Sequence, residues 1–219
     1  MTASRGGKPV IAIDGPAGAG KSTLAASLAA RLGLDRLDTG AMYRAVAFAA
    51  LRDSVDPSDA RAVAELAQGL RIEIGPAVRV DGVDASRELR GPAVTSVVSV
   101  VAANPEVRRE LVRRQRAWVE AHDGGVIEGR DIATVVLPDA DLKIFVTASE
   151  SERARRRALE AEATAHDLDW STVAADLARR DHLDSTRQTS PLAVAEGAVV
   201  VDTTDRSVEE IVEEVLTRL

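Results

Sequence analysis

Gly15-Pro16-Ala17-Gly18-Ala19-Gly20-Lys21-Ser22 satisfies the pattern G-x-x-x-x-G-K-[ST] at every fixed position, with Thr23 directly behind it. Val10-Ile11-Ala12-Ile13 precedes it, a short unbroken apolar run of the kind that forms a strand buried on both faces. After it, Leu24, Leu28 and Leu32 recur at helical spacing until Gly33. A strand, a glycine loop and a helix in that order are the context in which this motif binds phosphate. The glycines let backbone N–H groups curl around phosphate oxygens, and the helix N-terminus adds a positive dipole. Gly15, Pro16, Ala17, Gly18, Ala19, Gly20, Lys21, Ser22 and Thr23 are therefore expected to bind a nucleoside triphosphate. Lys21 is placed to reach the β- and γ-phosphate oxygens, and the Ser22 hydroxyl to help hold Mg²⁺.

Outward from this loop, apolar strands alternate with helical patterns. Gly40 to Arg52 carries Met42, Val46 and Ala49 at helical spacing, and Asn104-Pro105 opens a long helix to Ala121. Val126-Ile127, Leu142 to Val146 and Ala198 to Val201 are candidate strands. Ser149 to Ala165, Trp170 to Asp181 and Ser207 to Leu219 read as helices. That alternation implies an α/β fold with a parallel sheet between two helical layers, and the glycine motif makes the expected class a P-loop NTPase. The stretch from Asp53 to Asn104 differs. Asp56-Pro57 looks like an N-cap followed by proline at the first helical position, with Gly69 ending that helix. Short alternating segments, Leu70 to Ile74 and Val78 to Val80, follow with an Asp81-Gly82 turn, then a helix from Pro92 to Ala103. Small antiparallel strands inside a βα chain suggest an inserted subdomain at 54–103, dividing a core of 1–53 and 104–219.

Composition narrows the classes. The 219 residues are 45% hydrophobic and carry a net charge of −7, a sign that disfavours general binding to nucleic acid or anionic lipid. The absence of cysteine excludes disulfides and thiolate chemistry. No apolar run approaches a bilayer span, and Met1 to Lys8 has no secretory pattern, so a cytoplasmic protein is expected, with a monomer as the default. Aromatics are limited to Tyr43, Phe48, Trp118, Phe145 and Trp170, so Ala, Val, Leu and Ile must build the core. Lysine occurs only at positions 8, 21 and 143, which makes Lys21 in the loop more informative. His122, His166 and His182 lack metal-ligand spacing. Trp118 and Trp170 read as packing residues, and Arg113, Arg114 and Arg116 as a helix surface.

Three polar clusters remain: Asp38-Thr39-Gly40-Ala41-Met42-Tyr43-Arg44, Glu128-Gly129-Arg130-Asp131, and Arg179 to Arg187 in a polar stretch running to Ser190-Pro191-Leu192. The second follows a candidate central strand, where open α/β sheets bind ligands. Several arginines converging there would suit a second phosphate, held bidentately and facing the first.

The succession GPAGAGKST, LDTGAMYR, SVVAANPEVRRELVRRQR, EGRD, RARRR and RRDHLDSTRQTSPL resembles the bacterial cytidylate (CMP) kinases over about residues 9 to 217. The phosphate loop is common to many families, whereas DTGAMYR and the D-S-x-R-x-x-S-P-L ending are particular to this one. The resemblance implies transfer of the ATP γ-phosphate to CMP or dCMP, in pyrimidine nucleotide metabolism. It also implies a three-part body, with 54–103 binding CMP and a mobile arginine-bearing lid at about 149–168. Carried onto matching positions, it makes Arg44, Arg130 and Arg187 ligands of the CMP phosphate, with Thr39 and Tyr43 beside them. Arg180 and Asp184 would hold the ribose hydroxyls, and Ser99, Arg108 and Asp131 would read cytosine. Arg153, Arg155, Arg156 and Arg157 match the lid. Phosphoryl transfer asks for positioning and charge neutralisation rather than a strong base. The expected catalytic set is accordingly Lys21, Arg130, Arg187, Arg156 and Arg157. Ala133 departs from the family pattern, which has glycine there. His182 and Leu183 stand where charged residues are usual. A kinase for another nucleoside monophosphate or shikimate, or a nucleotide-switched binding protein, are the competing readings.

Overall fold

Val10–Asp14 (β1) is buried along its whole length and pairs in parallel with β6 (Gly125–Glu128) on one side and β7 (Leu142–Thr147) on the other. β2 (Arg36–Asp38) adds outside β6, and β8 (Val199–Asp202) outside β7. The resulting five-stranded sheet is parallel throughout, in the order β2-β6-β1-β7-β8. This computed structural model describes residues 7–163, 170–187 and 189–219. Expectations about His166 and about the 164–168 end of the lid lie outside them, as does the side chain of Trp170.

Alternation along β1 sorts the core into two layers. Ile11 and Ile13 pack with Leu24 and Leu28 of α1 (Lys21–Leu32) and Ile211 and Val215 of α8 (Val208–Leu216). Val10 and Ala12 face a larger cluster with Val46 of α2 (Thr39–Arg52), Val98 of α4 (Pro92–Ala103) and Leu111 of α5 (Pro105–His122). A helix α3 (Ala60–Gly69) and a small antiparallel sheet, β3 (Ile72–Glu73), β4 (Arg79–Val80) and β5 (Val83–Asp84), lie between α2 and α4 in the chain. The α/β class read from the alternation is the observed one.

Several boundaries differ from the sequence reading. Helix α3 begins three residues later than Asp56-Pro57 suggests. Asp59 is the cap, accepting from the amides of Arg61 and Ala62, while Asp56 closes a turn on Ser58. Helix α6 spans Glu150–Ala163. Helix α7 spans Trp170–Thr186, five residues beyond the expected end at Asp181. The first part of the supposed polar stretch, to Thr186, is therefore helical, and Arg180 and Asp184 sit one turn apart on its buried face.

Two of the arginines read as surface are ties. Arg114 donates to the carbonyls of Ala67, Gln68 and Leu70 at the C-terminal end of α3, and Arg116 to those of Val135 and Val136. Arg113 is exposed and pairs with Glu110. Trp118 packs against the core and stacks on His122, as a packing residue should.

Candidate active site

The C-terminal ends of β1, β2 and β6 open on one cleft, where the phosphate loop, the start of α2 and the 129–131 loop converge. The loop needs glycine where it turns. Gly15 has φ 149°, and a Cβ there would stand 2.1 Å from the Val146 carbonyl oxygen. Gly18, at φ 76°, would bring a Cβ to 2.9 Å from the Arg153 carbonyl. Lys21 is buried and donates from Nζ to the Pro16 carbonyl at 2.7 Å. Burial, and then the neighbouring Arg130, hold its ammonium well below the ordinary lysine range.

Ser22 donates its hydroxyl to Glu128 Oε2 at 2.6 Å. Glu128 is buried at the end of β6; its Oε1 has no hydrogen-bond partner and lies 3.5 Å from Arg36 Nη1. Burial first, and then Asp38, raise its carboxyl above the usual range. A hydroxyl beside an under-satisfied carboxylate is a hard oxygen pair that fits a magnesium ion. No group of three or more metal-ligating side chains exists among the described residues, so the remaining ligands would be nucleotide phosphates and water. The sequence reading assigned Ser22 and missed Glu128; its signal was a carboxylate ending a central strand.

Guanidinium groups from five places also line this cleft. They are Arg44 of α2, Arg90 of the 3₁₀ turn Glu88–Arg90, Arg130 after β6, Arg157 of α6 and Arg180 of α7. Arg130 Nε donates to Asp184 Oδ2 at 2.9 Å. Arg44 is brought down to about 10 by burial and then by Arg157. Arg180 is brought down to about 9 by burial and then by Arg44, Arg157 and Arg130. Guanidiniums close enough to depress one another form a pocket whose cost a bound polyanion relieves. Arg90 was not singled out from the sequence, because nothing near it in the chain marks it.

At the far end Asp131 joins two buried cations. It accepts from Arg108 through Oδ2 and from Arg187 Nη2 through Oδ1, the latter at 3.3 Å. Arg108 also lies 5.6 Å above the Tyr43 ring. Burial, and then Asp131, push the Tyr43 hydroxyl up to about 12, against the pull of Arg108. Ser99, from α4, also lines the cleft.

The family model described as "Cytidylate kinase" matches residues 11–219. The chain belongs to the cytidylate kinase family. It is 49% identical to a cytidylate kinase of Mycolicibacterium paratuberculosis over 93% of this chain and 92% of that protein. It is 50% identical to one of Desulfitobacterium hafniense, over 94% of this chain and 90% of that protein. In fold it is similar to an uncharacterised protein of Eubacterium ventriosum, with TM-score 0.51, 13% identity and coverage of 96% and 97%.

In this cytidylate kinase-family chain most of the sequence-nominated residues line the one cleft. From the phosphate loop these are Ala17, Gly18, Gly20, Lys21, Ser22 and Thr23. From outside the loop come Thr39, Tyr43, Arg44, Ser99, Arg108, Arg130, Asp131, Arg157, Arg180, Asp184 and Arg187. Thr39 donates its hydroxyl to the Glu128 carbonyl at 2.7 Å. Gly15, Pro16 and Ala19 support the loop from behind, Ala19 through its carbonyl to Thr203.

Arg156 is turned away from the guanidinium cluster. It donates to Glu152 Oε1 and to the hydroxyl and carbonyl oxygens of Thr203, placing it beside Gly20. Arg153 is buried on the loop, donating to the Ala17 carbonyl and pairing with Asp181, while Arg155 is exposed. Among the described residues no helix is long and apolar enough to cross a membrane.

Proposed function

We propose that the protein transfers the γ-phosphate of ATP to CMP or dCMP, forming ADP and CDP or dCDP. The observation that carries this reading is a single cleft lined both by Lys21 and the phosphate loop and by Arg44, Arg130, Arg157 and Arg180. Two polyanions brought face to face need their mutual repulsion neutralised, and a loose transition state needs charge stabilisation rather than a base. Lys21 and the 18–23 amides hold the β- and γ-phosphates. Arg44 and Arg130 hold the acceptor phosphate, with Arg187 beside them. Magnesium, held by Ser22 and Glu128, supplies neutralisation of the β- and γ-oxygens.

The base corner favours cytosine. A carboxylate has about four acceptor positions, so Asp131 can take the exocyclic amino group while keeping Arg108 and Arg187. Arg108 donates to the ring acceptors. Uracil would set a carbonyl oxygen against the carboxylate, leaving buried polar groups unpaired. Arg180 and Asp184, one turn apart on α7, hold the ribose hydroxyls in this reading. In this reading 1–53 and 104–219 form the kinase core with a lid at about 149–168, and 54–103 forms the acceptor side.

A coupled assay of ADP release with ATP and Mg²⁺ across CMP, dCMP, UMP, AMP and shikimate tests the proposal. CMP and dCMP are expected to give the highest kcat/KM. Preference for AMP, UMP or shikimate would assign a different kinase, and acceptor-independent slow hydrolysis would favour a nucleotide switch.

A further inference from the structure

Asp14 ends β1 and immediately precedes the phosphate loop, yet it takes no part in the cleft. It is 2% exposed, and both carboxylate oxygens are engaged. Oδ1 accepts from the Ile132 amide and Oδ2 from the Ala133 amide, each at 2.8 Å. Those amides open a π-helical turn, Ile132–Val136. The first amides of a helical turn have no partner inside it, and buried amides without partners are costly. Here one carboxylate from the central strand satisfies two of them.

The residue just before this turn is Asp131. Its carbonyl accepts from Val135 and Val136, so the turn fixes its backbone, and its side chain holds Arg108 and Arg187. Asp131 has φ −147° and ψ 28°, which no regular element imposes. The position of its carboxylate is thus set by what anchors 132 and 133.

We infer that Asp14 is a positioning residue for base selection: by clamping the amides of Ile132 and Ala133 to the end of β1, it fixes the Asp131 carboxylate at the cytosine edge. The clamp also ties the strand that carries the phosphate loop to the loop that meets the acceptor. It rests on the CMP reading for its consequence, but not for its geometry.

The clamp depends on the charge state of Asp14. Burial raises its carboxyl from 3.8 to about 6, the two amides and Lys21 pull it down, and Asp131 pushes it up. Once protonated, one oxygen carries a donor hydrogen and accepts from an N–H far more weakly.

The experiment combines amide NMR with steady-state kinetics on the full chain. In the free enzyme the Ile132 and Ala133 amide resonances are expected to titrate together with a midpoint near 6, and not to do so in Asp14→Asn. The free enzyme is used because the acceptor's own phosphate ionises in this range. Asp14→Asn is expected to lower kcat/KM for CMP about 10–100-fold, the effect typical of outer positioning groups. The KM for ATP should stay within about threefold, and the CMP-to-UMP preference should fall.

Equal losses for ATP and CMP, or an unchanged CMP-to-UMP ratio, would overturn the inference. If Asp14→Asn does not fold, Asp14→Glu takes its place, keeping the charge but moving it off the two amides, and an unchanged CMP-to-UMP ratio in that variant overturns the inference. Wild-type enzyme that ignores CMP would instead sink the functional reading and leave the clamp standing.

Discussion

Replacing Asp131 with alanine strands two buried guanidiniums at once. The side chains of Arg108 and Arg187 are 3% and 5% exposed, and Asp131 is the carboxylate both of them bond. Breaking a buried pair by removing one partner typically costs about 3–5 kcal/mol, because the survivor keeps its desolvation without compensation. The pair lines a cleft that water can enter, which places the cost near the lower end, about 3 kcal/mol. With an unfolding entropy of about 2.1 cal/mol/K per residue over this chain, that converts to a fall in Tm of about 6–7 °C. Thermal unfolding followed by circular dichroism reads it directly. The double variant Arg108→Met with Asp131→Leu removes one of the two stranded guanidiniums and fills the space, leaving only Arg187 without its carboxylate, so it should recover about half of the loss. It should nevertheless be inactive on CMP. Kinetics on the single variant should show the CMP-to-UMP preference falling by at least about tenfold. A single variant melting within 2 °C of wild type, or a double variant no better than the single, would refute the reasoning.

Further outcomes follow from other contacts. Lys21→Ala should lower kcat by about 10²–10³-fold in the coupled assay while leaving Tm unchanged or higher, because it removes a buried ammonium set beside Arg130. Ser22→Ala removes the hydroxyl that bonds Glu128 and should raise the Mg²⁺ needed for half-maximal rate roughly tenfold, read by titration at saturating ATP. Glu110 is held down at about 2, first by its hydrogen bond to Arg113 and also by Arg114, against its burial. A depressed carboxyl stabilises the fold above its unfolded value of 4.5, and that contribution is lost as pH falls towards 2. Glu110→Gln should therefore cost about 1 kcal/mol in urea unfolding at pH 7, the surface share of these pairs being small, and nothing near pH 2.

Much of the architecture was legible because it rests on local physics. The apolar run at Val10 to Ile13, the glycines behind it and the leucines after Lys21 state a strand, a turn and a helix within about two dozen residues, and each is where the pattern puts it. Asn104-Pro105 likewise marked the start of α5 through a cap that the structure shows in place. Boundaries failed where two local signals competed, as with Asp56 and Asp59. They also failed at Asp181, where polar residues suggested the helix had ended. Helix α7 continues because Arg180 and Asp184 are polar for the cleft rather than for solvent.

By itself, then, the chain's order of residues determined the α/β class, the phosphate loop and the list of arginines and carboxylates that the family pattern marks. Tertiary structure alone decided how they are shared out. It turned Arg156 towards Thr203 while Arg157 stayed in the cleft, and brought Arg90 into the guanidinium group. It put the Glu128 carboxylate against Ser22, 106 positions away in the chain, and Asp14 beneath a turn 118 positions away. Such pairings depend on strand order and helix packing, which bring distant residues together through burial rather than through any spacing that a linear pattern can carry.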